Sequence, residues 1–195
     1  MIIGIAGKSA GGKSTLAKHL SERLPNIKII SVDEFYINLL LKNLDELKKL
    51  YGEDIFKDGE LDHVLFLQYP KQMKIISDLV EEDLINVLLK EIKDNEKIYD
   101  YIIVDFYRLV ELQEIWNYCN YRILVEPDNN EKRYEHLCLR HIKSNIPVAR
   151  AIEEEFRLRD YTIPNYSNYS YDFTLVNKYD ESLKREADLI VAELK

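Results

Sequence analysis

The chain has 195 residues, of which 46% are hydrophobic and 32% charged, so we expect one α/β domain and exclude two ordinary domains. The net charge of −8, from 35 acidic and 27 basic residues, argues against a general nucleic-acid or anionic-membrane surface. The chain starts on an apolar run without a basic leader, and no run reaches the length of a membrane span. We therefore expect a cytoplasmic protein with no nucleic-acid or membrane partner.

Short apolar runs alternate with longer amphipathic segments, which predicts a parallel sheet with helices on both faces. Strands are predicted at residues 1–6, 27–32, 98–104, 121–126 and 172–176. Helices are predicted at residues 13–24, 40–50, 72–93, 111–118, 129–144, 148–160 and 181–194. Asp128 and Asp180 stand where two of these helices need an N-cap. The expected architecture is a three-layer α/β/α fold with a five-stranded parallel sheet.

The first strand leads directly into a glycine-rich loop. Residues 7–15 read GKSAGGKST and fill every position of the phosphate-binding pattern G-x-x-x-x-G-K-[ST]. Glycine leaves room for backbone N–H groups to surround a phosphate, and the N-terminus of the next helix adds positive potential. Lys13 is predicted to reach the β- and γ-phosphates, and the Ser14 hydroxyl to bind Mg²⁺. The predicted nucleotide-binding residues are Gly7, Ser9, Ala10, Gly11, Gly12, Lys13, Ser14 and Thr15.

Carboxylates follow two of the predicted strands, at the edge where such sheets bind ligands. Asp33 follows the second strand, where its carboxylate can take the proton of an attacking hydroxyl; alternatively, it caps a helix that starts near Phe35. Asp105 ends the third strand and is predicted to hold Mg²⁺ directly or through water. An aspartate at a strand end also has the simpler interpretation of a turn former.

Basic residues gather late in the chain, at Lys132, Arg133, Arg140, Arg150, Arg157 and Arg159. A guanidinium stabilises the charge of a transferring phosphoryl group well, and we favour Arg140 for that role. At least half of the six are expected to be ordinary solvated residues. Pro147 interrupts the helical pattern after Arg140, which predicts a short lid at about residues 141–156.

Residues 177–180 read Asn-Lys-Tyr-Asp and match the N-K-x-D element with which GTPases read guanine. Residues 105–108, however, read Asp-Phe-Tyr-Arg and lack the D-x-x-G switch of those proteins. A GTPase-like switch is therefore a minor alternative, although the loop at 177–179 is still positioned to touch a nucleotide base.

These motifs resemble those of the uridine kinase and nicotinamide riboside kinase family of P-loop small-molecule kinases. The phosphate loop is similar to the family's G-x-S-x-S-G-K-[ST] form, and Asp33-Glu34-Phe35-Tyr36 to its Asp-x-Phe-Tyr/Phe motif. Leu61-Asp62-His63 resembles a Phe-Asp-His segment that places a carboxylate on the ribose hydroxyls. The resemblance implies Asp33 as base, and Tyr36, Asp62 and His63 on the acceptor.

The resemblance further implies a single P-loop NTPase kinase domain over residues 1–195, with an acceptor-binding insertion at about 34–75 and a short lid. Its cofactors would be ATP and Mg²⁺, its catalytic residues would include Lys13 and Arg140, and its partner would be a small-molecule hydroxyl acceptor. A homo-oligomer is consistent with the family.

The sequence departs from the family pattern at Asp105-Phe106, where the family has Glu-Gly, and in a lid that is poor in arginine. No base-reading hairpin precedes the third strand. The expected reaction is transfer of the γ-phosphate to a hydroxyl, such as the 5′-hydroxyl of uridine, cytidine or nicotinamide riboside. Another hydroxyl metabolite, or a non-catalytic nucleotide-binding regulator on a kinase fold, stays open as an alternative.

Overall fold

A computed structural model describes residues 1–57, 60–61, 66, 69–143 and 163–194. The strands are β1 (Ile2–Ala6), β2 (Ile27–Ser31), β3 (Phe56–Lys57), β4 (Glu60–Leu61), β5 (Tyr101–Asp105), β6 (Tyr121–Pro127) and β7 (Phe173–Asn177). The helices are α1 (Lys13–Ser21), α2 (Val32–Lys42), α3 (Leu44–Tyr51), α4 (Pro70–Asn95), α5 (Gln113–Tyr118), α6 (Asn130–Lys143) and α7 (Ser182–Glu193). The main sheet has five parallel strands in the order β2-β5-β1-β6-β7, and β3 and β4 form a small antiparallel pair.

The central strands β1 and β5 are buried between the helical layers because they are almost continuously apolar. Alternate residues of β1 point to opposite faces. Ile3 and Ile5 join a core with α1 and α7, whereas Ile2 and Ala6 join a second core with α2, α3, α4 and α5. The predicted three-layer α/β/α fold with a five-stranded parallel sheet is therefore confirmed.

The strand register brings the predicted functional segments to one edge of the sheet. Asp105 is the Cα partner of Ile5 on one side and of Ser31 on the other, so β1, β2 and β5 end together. The phosphate loop leaves the end of β1, and Asp33 follows the end of β2 by two residues. This carboxyl edge is where ligands bind in open α/β sheets.

The prediction of one helix over residues 40–50 was wrong. α2 begins at Val32, directly after β2, and a break at Asn43 separates it from α3. The Asn43 amide donates to Leu39 O, and this local side-chain bond competes with continuation of the helix. Within the described ranges, no helix is both long and apolar enough to cross a lipid bilayer.

Neither predicted N-cap residue occupies the N-cap position, which is Asn129 in α6 and Glu181 in α7. Asn129, not Asp128, caps α6, because its side-chain oxygen accepts from the backbone N–H groups of Glu131 and Lys132. Asp180 does serve the start of α7, accepting from Ser182 N at 2.7 Å. The predicted helix at 148–160 lies outside the described residues.

Candidate phosphate-transfer site

The phosphate loop has a backbone that its glycines make possible. Gly7 and Gly12 have φ angles of 141° and 109°, a region that L-residues rarely adopt. A Cβ on Gly7 would lie 2.2 Å from Val125 O, and one on Gly12 would lie 2.6 Å from Asn177 Nδ2. Ala10 also has a positive φ, 56°, which costs an L-residue about 1–2 kcal/mol. Contacts around the loop must therefore hold this conformation.

Lys13, Ser14 and Asp105 meet at the head of this loop. The Ser14 hydroxyl donates to Asp105 Oδ2 at 2.7 Å. Lys13 Nζ lies 4.0 Å from Asp105 Oδ1 and donates to Lys8 O at 3.3 Å. Lys13 is only 9% exposed, so its charge acts in a partly desolvated site where electrostatic attraction to a phosphate is strengthened.

The oxygen donors of Ser14 and Asp105 suit Mg²⁺. Magnesium in nucleotide sites takes one or two protein oxygens and completes its shell with phosphate and water oxygens. A serine hydroxyl that binds the ion keeps its proton, and here that proton already points to Asp105. The described residues contain no group of three or more His, Cys, Asp or Glu side chains that could hold a metal ion.

Asp33 lies across the same edge, exposed in the first turn of α2. The alternative that Asp33 caps a helix starting near Phe35 was wrong, because the helix begins at Val32 with Ser31 at the N-cap position. The carboxylate therefore sits within the helix, near its positive end. Ser31, two residues before Asp33, is the Cα partner of Asp105.

Tyr36 is buried one turn further along α2, with its hydroxyl bonded to Ser77 Oγ on α4. The Ser77 hydroxyl donates its one proton to Met73 O, so the Tyr36 hydroxyl is the donor in its bond to Ser77. Ser77 also lines a cavity of about 200 Å³. Among its lining residues are Lys74, Ser77, Tyr107, Arg108, Glu111 and Asn165.

The cavity is lined by both polar and apolar side chains, and its cations are already paired. Lys74 Nζ lies 3.1 Å from each carboxylate oxygen of Asp78. The Arg108 guanidinium donates to Glu111 and also lies 3.7 Å from Asp78 and 3.6 Å from Glu81. Two cations therefore face three carboxylates, which disfavours a strongly anionic ligand.

Three residues that the sequence did not assign to the phosphate loop contact it. Arg133 Nη1 donates to Ser9 O at 3.3 Å, the Tyr179 hydroxyl to Ala10 O at 3.2 Å, and Asn177 Nδ2 to Gly11 O at 3.1 Å. Arg133 is 1% exposed, unlike a solvated helix residue. Burial raises the pKa of Tyr179 to about 12, so its hydroxyl keeps its proton at neutral pH.

Sequence signals for these three contacts existed but were not decisive. Arg133 lies in the first turn of the helix that follows β6, the strand next to β1, and Asn177 and Tyr179 belong to the N-K-x-D match. Of the other predicted residues, Asp62, His63 and most of the lid at 141–156 lie outside the described residues. Arg140 is on α6, but its side chain is outside the described part.

The chain is similar in sequence to two groups of kinases. It is 27% identical to a dephospho-CoA kinase of Fusobacterium nucleatum over 197 residues, which cover 94% of this chain and 98% of that protein. Nicotinamide riboside kinase 1 of rat is 57% identical over 35 residues, which are 18% of each chain. The human protein is 33% identical over 120 residues, which are 60% of this chain and 55% of that one. No protein-family model matches the chain.

Solved structures match over the full length. The crystal structure of TT1252 from Thermus thermophilus has a TM-score of 0.68 at 22% identity, covering 100% of this chain and 98% of that one. Dephospho-CoA kinase from Campylobacter jejuni has a TM-score of 0.54 at 15% identity, covering 100% and 97%. The chain has a P-loop kinase fold. The similarities support a phosphotransferase of the P-loop kinase type. The narrower resemblance to uridine kinases stays a prediction.

Proposed function

We propose that the protein is an ATP- and Mg²⁺-dependent kinase that phosphorylates a hydroxyl of a small metabolite, with a riboside as the leading acceptor. The observation that carries the proposal is the cluster of Lys13, Ser14 and Asp105 beside the phosphate loop, with Asp33 at the same sheet edge. The dephospho-CoA kinases and nicotinamide riboside kinases among its relatives supply the chemical precedent.

In the proposed reaction the acceptor oxygen attacks the γ-phosphorus, and the bond from that phosphorus to the β–γ bridging oxygen breaks. ADP leaves with the bonding electron pair, and the acceptor's proton passes to the Asp33 carboxylate. Lys13 would stabilise the charge on the phosphates, and Ser14 and Asp105 would hold Mg²⁺. The magnesium ion, when bound, neutralises charge on the β- and γ-phosphate oxygens.

The acceptors named by the two groups of relatives, nicotinamide riboside and dephospho-CoA, both contain ribose. We take a simple riboside as the leading acceptor because residues 33–36 resemble the Asp-x-Phe-Tyr/Phe motif of the uridine and nicotinamide riboside kinases.

A coupled ADP-release assay tests the proposal. Purified protein with Mg²⁺-ATP is given, at equal concentrations, nicotinamide riboside, uridine, cytidine, adenosine, dephospho-CoA and shikimate, and the phosphorylated product is confirmed by mass spectrometry. We expect a riboside to give the fastest release, with one phosphorylated product per ADP. The reaction without acceptor is the baseline.

Two results would count against the proposal at different points. If no acceptor raises the rate of ADP release above the baseline, the kinase hypothesis is rejected and the hypothesis of a non-catalytic regulator remains. Fastest release with dephospho-CoA would keep the kinase but reject the riboside. Repeating the best reaction with GTP as donor measures the nucleotide preference directly.

A further inference from the structure

The three donors to the phosphate loop act on consecutive peptide groups. Arg133 on α6, Tyr179 after β7 and Asn177 at the end of β7 donate to the carbonyl oxygens of residues 9, 10 and 11 in turn. The donors are separated from the loop by 124 to 169 residues of sequence, so they come from distant elements of the fold.

The orientation of a carbonyl fixes the orientation of the next N–H group. A trans peptide is planar, and its C=O and N–H bonds point in opposite directions. A donor that holds Ser9 O therefore turns the Ala10 N–H the opposite way, and a donor on Gly11 O does the same for the Gly12 N–H. The N–H of Gly11, between them, donates to Lys8 O at 2.9 Å. In a phosphate loop the N–H groups are what binds the phosphates.

We propose that Asn177, Tyr179 and Arg133 are positioning residues that hold the phosphate loop in its anion-binding conformation before the nucleotide arrives. We call these three residues the loop clamp. The inference rests on the nucleotide-binding half of the proposed function and not on the acceptor. It also assigns the N-K-x-D match a role in triphosphate binding in place of guanine recognition.

The contacts of the element itself favour a clamp over base reading. Both ends of the Asn177 amide are used inside the protein, since its oxygen accepts from Tyr179 N at 2.9 Å. The Asp180 carboxylate, which would read guanine in a GTPase, accepts from Ser182 at the start of α7. Asn177 is 5% exposed and occupies the space that a Cβ on Gly12 would need.

The clamp also explains how Ala10 keeps its left-handed backbone. Tyr179 holds the carbonyl of Ala10 itself, and the Tyr179 ring is stacked on His136 with centroids 4.6 Å apart and planes at 14°. His136 and Arg133 lie three residues apart on α6. One helix therefore supports the loop twice, through Arg133 directly and through the ring that positions the Tyr179 hydroxyl.

Inorganic tripolyphosphate, which has no base, separates the clamp from base reading. Titration calorimetry of the full chain with Mg²⁺ measures the dissociation constants of ATP, GTP and tripolyphosphate. The variants are Tyr179→Phe, which keeps the ring, Asn177→Leu, which keeps the size, and Arg133→Met, which keeps the apolar stem. Tyr118→Phe and Asn95→Leu are matched controls, because their side chains bond Glu96 and Glu91 far along the sequence from the loop.

We expect each clamp variant to raise all three dissociation constants by the same factor, about fivefold, as the loss of one hydrogen bond predicts. The ATP-to-GTP ratio then stays at the wild-type value, and the controls bind normally. A melting curve without ligand shows that each variant is folded at the titration temperature. A purely structural role would lower the melting temperature and leave the three constants unchanged.

The inference is overturned if tripolyphosphate binds the variants as well as the wild type. This conclusion does not depend on the ratio of the ATP and GTP dissociation constants. A change in that ratio would indicate that these residues recognise the nucleotide base. If Asn177→Leu or Arg133→Met does not fold, Tyr179→Phe alone decides the question, because only one oxygen is removed. Wild-type protein that binds tripolyphosphate but phosphorylates no acceptor would reject the kinase and leave the clamp standing.

Discussion

The proposed nucleotide half of the site uses mainly backbone groups, whereas the proposed acceptor half uses side chains. The nucleotide half uses backbone groups of one nine-residue loop, with Asn177 and Tyr179 holding its carbonyls. The proposed acceptor half would use side chains of α2 and α4, where Tyr36 and Ser77, 41 residues apart in sequence, are hydrogen-bonded. Backbone recognition suits a triphosphate that many proteins share, whereas side-chain recognition can change with each acceptor. The two halves should therefore respond differently to mutation.

The largest expected effect is on Asp33, in the acceptor half. Asp33→Asn should lower turnover about a thousandfold, because a general base contributes on the order of 10²–10⁴. The dissociation constant of ATP should stay within about twofold, since the carboxylate is not part of the phosphate loop. Steady-state kinetics and calorimetry measure the two quantities separately. Glu34→Gln, at the neighbouring exposed position, is the control, and equal turnover in both variants would remove Asp33 as base.

A smaller effect is expected in the nucleotide half at Asp105. Asp105→Asn should raise the Mg²⁺ concentration for half-maximal activity by about 10- to 100-fold, as is typical when a metal's supporting carboxylate is lost. Excess Mg²⁺ should then restore part of the activity. The exposed Asp100, just before β5, provides the control Asp100→Asn. If the magnesium dependence of activity is unchanged in Asp105→Asn, Asp105 does not support the metal and acts only as a turn former at the strand end.

The smallest expected effect is on Tyr36, whose hydroxyl bonds Ser77 beside the cavity. Tyr36→Phe should raise the KM of the acceptor about threefold, because losing one hydrogen bond between α2 and α4 lets the cavity wall shift. The KM of ATP should not change. Tyr118→Phe, which also loses one hydroxyl bond, is the control. Parallel changes in both KM values would show that the two halves are not independent.

The fold was predictable because its signals are local. Each apolar strand and the GKSAGGKST loop is a pattern of only a few consecutive residues, and together these patterns predict a P-loop domain. The structure confirms the five parallel strands. The break between α2 and α3 was missed because it depends on one local competition, the bond from Asn43 to Leu39 O.

The sequence by itself determined the phosphate-loop motif and the position of Asp105 at a strand end, because both are local patterns. The hydrogen bond from Ser14 to Asp105, 91 residues away, depends on the register of β1 with β5. Only the tertiary structure decided that Arg133 is buried against the loop, and that Asn177 and Tyr179 face the loop's carbonyls. Those contacts join residues more than one hundred positions apart, and no periodicity encodes which donor meets which carbonyl. The parallel sheet brings the ends of β1, β6 and β7 to one edge, and that proximity makes the loop clamp.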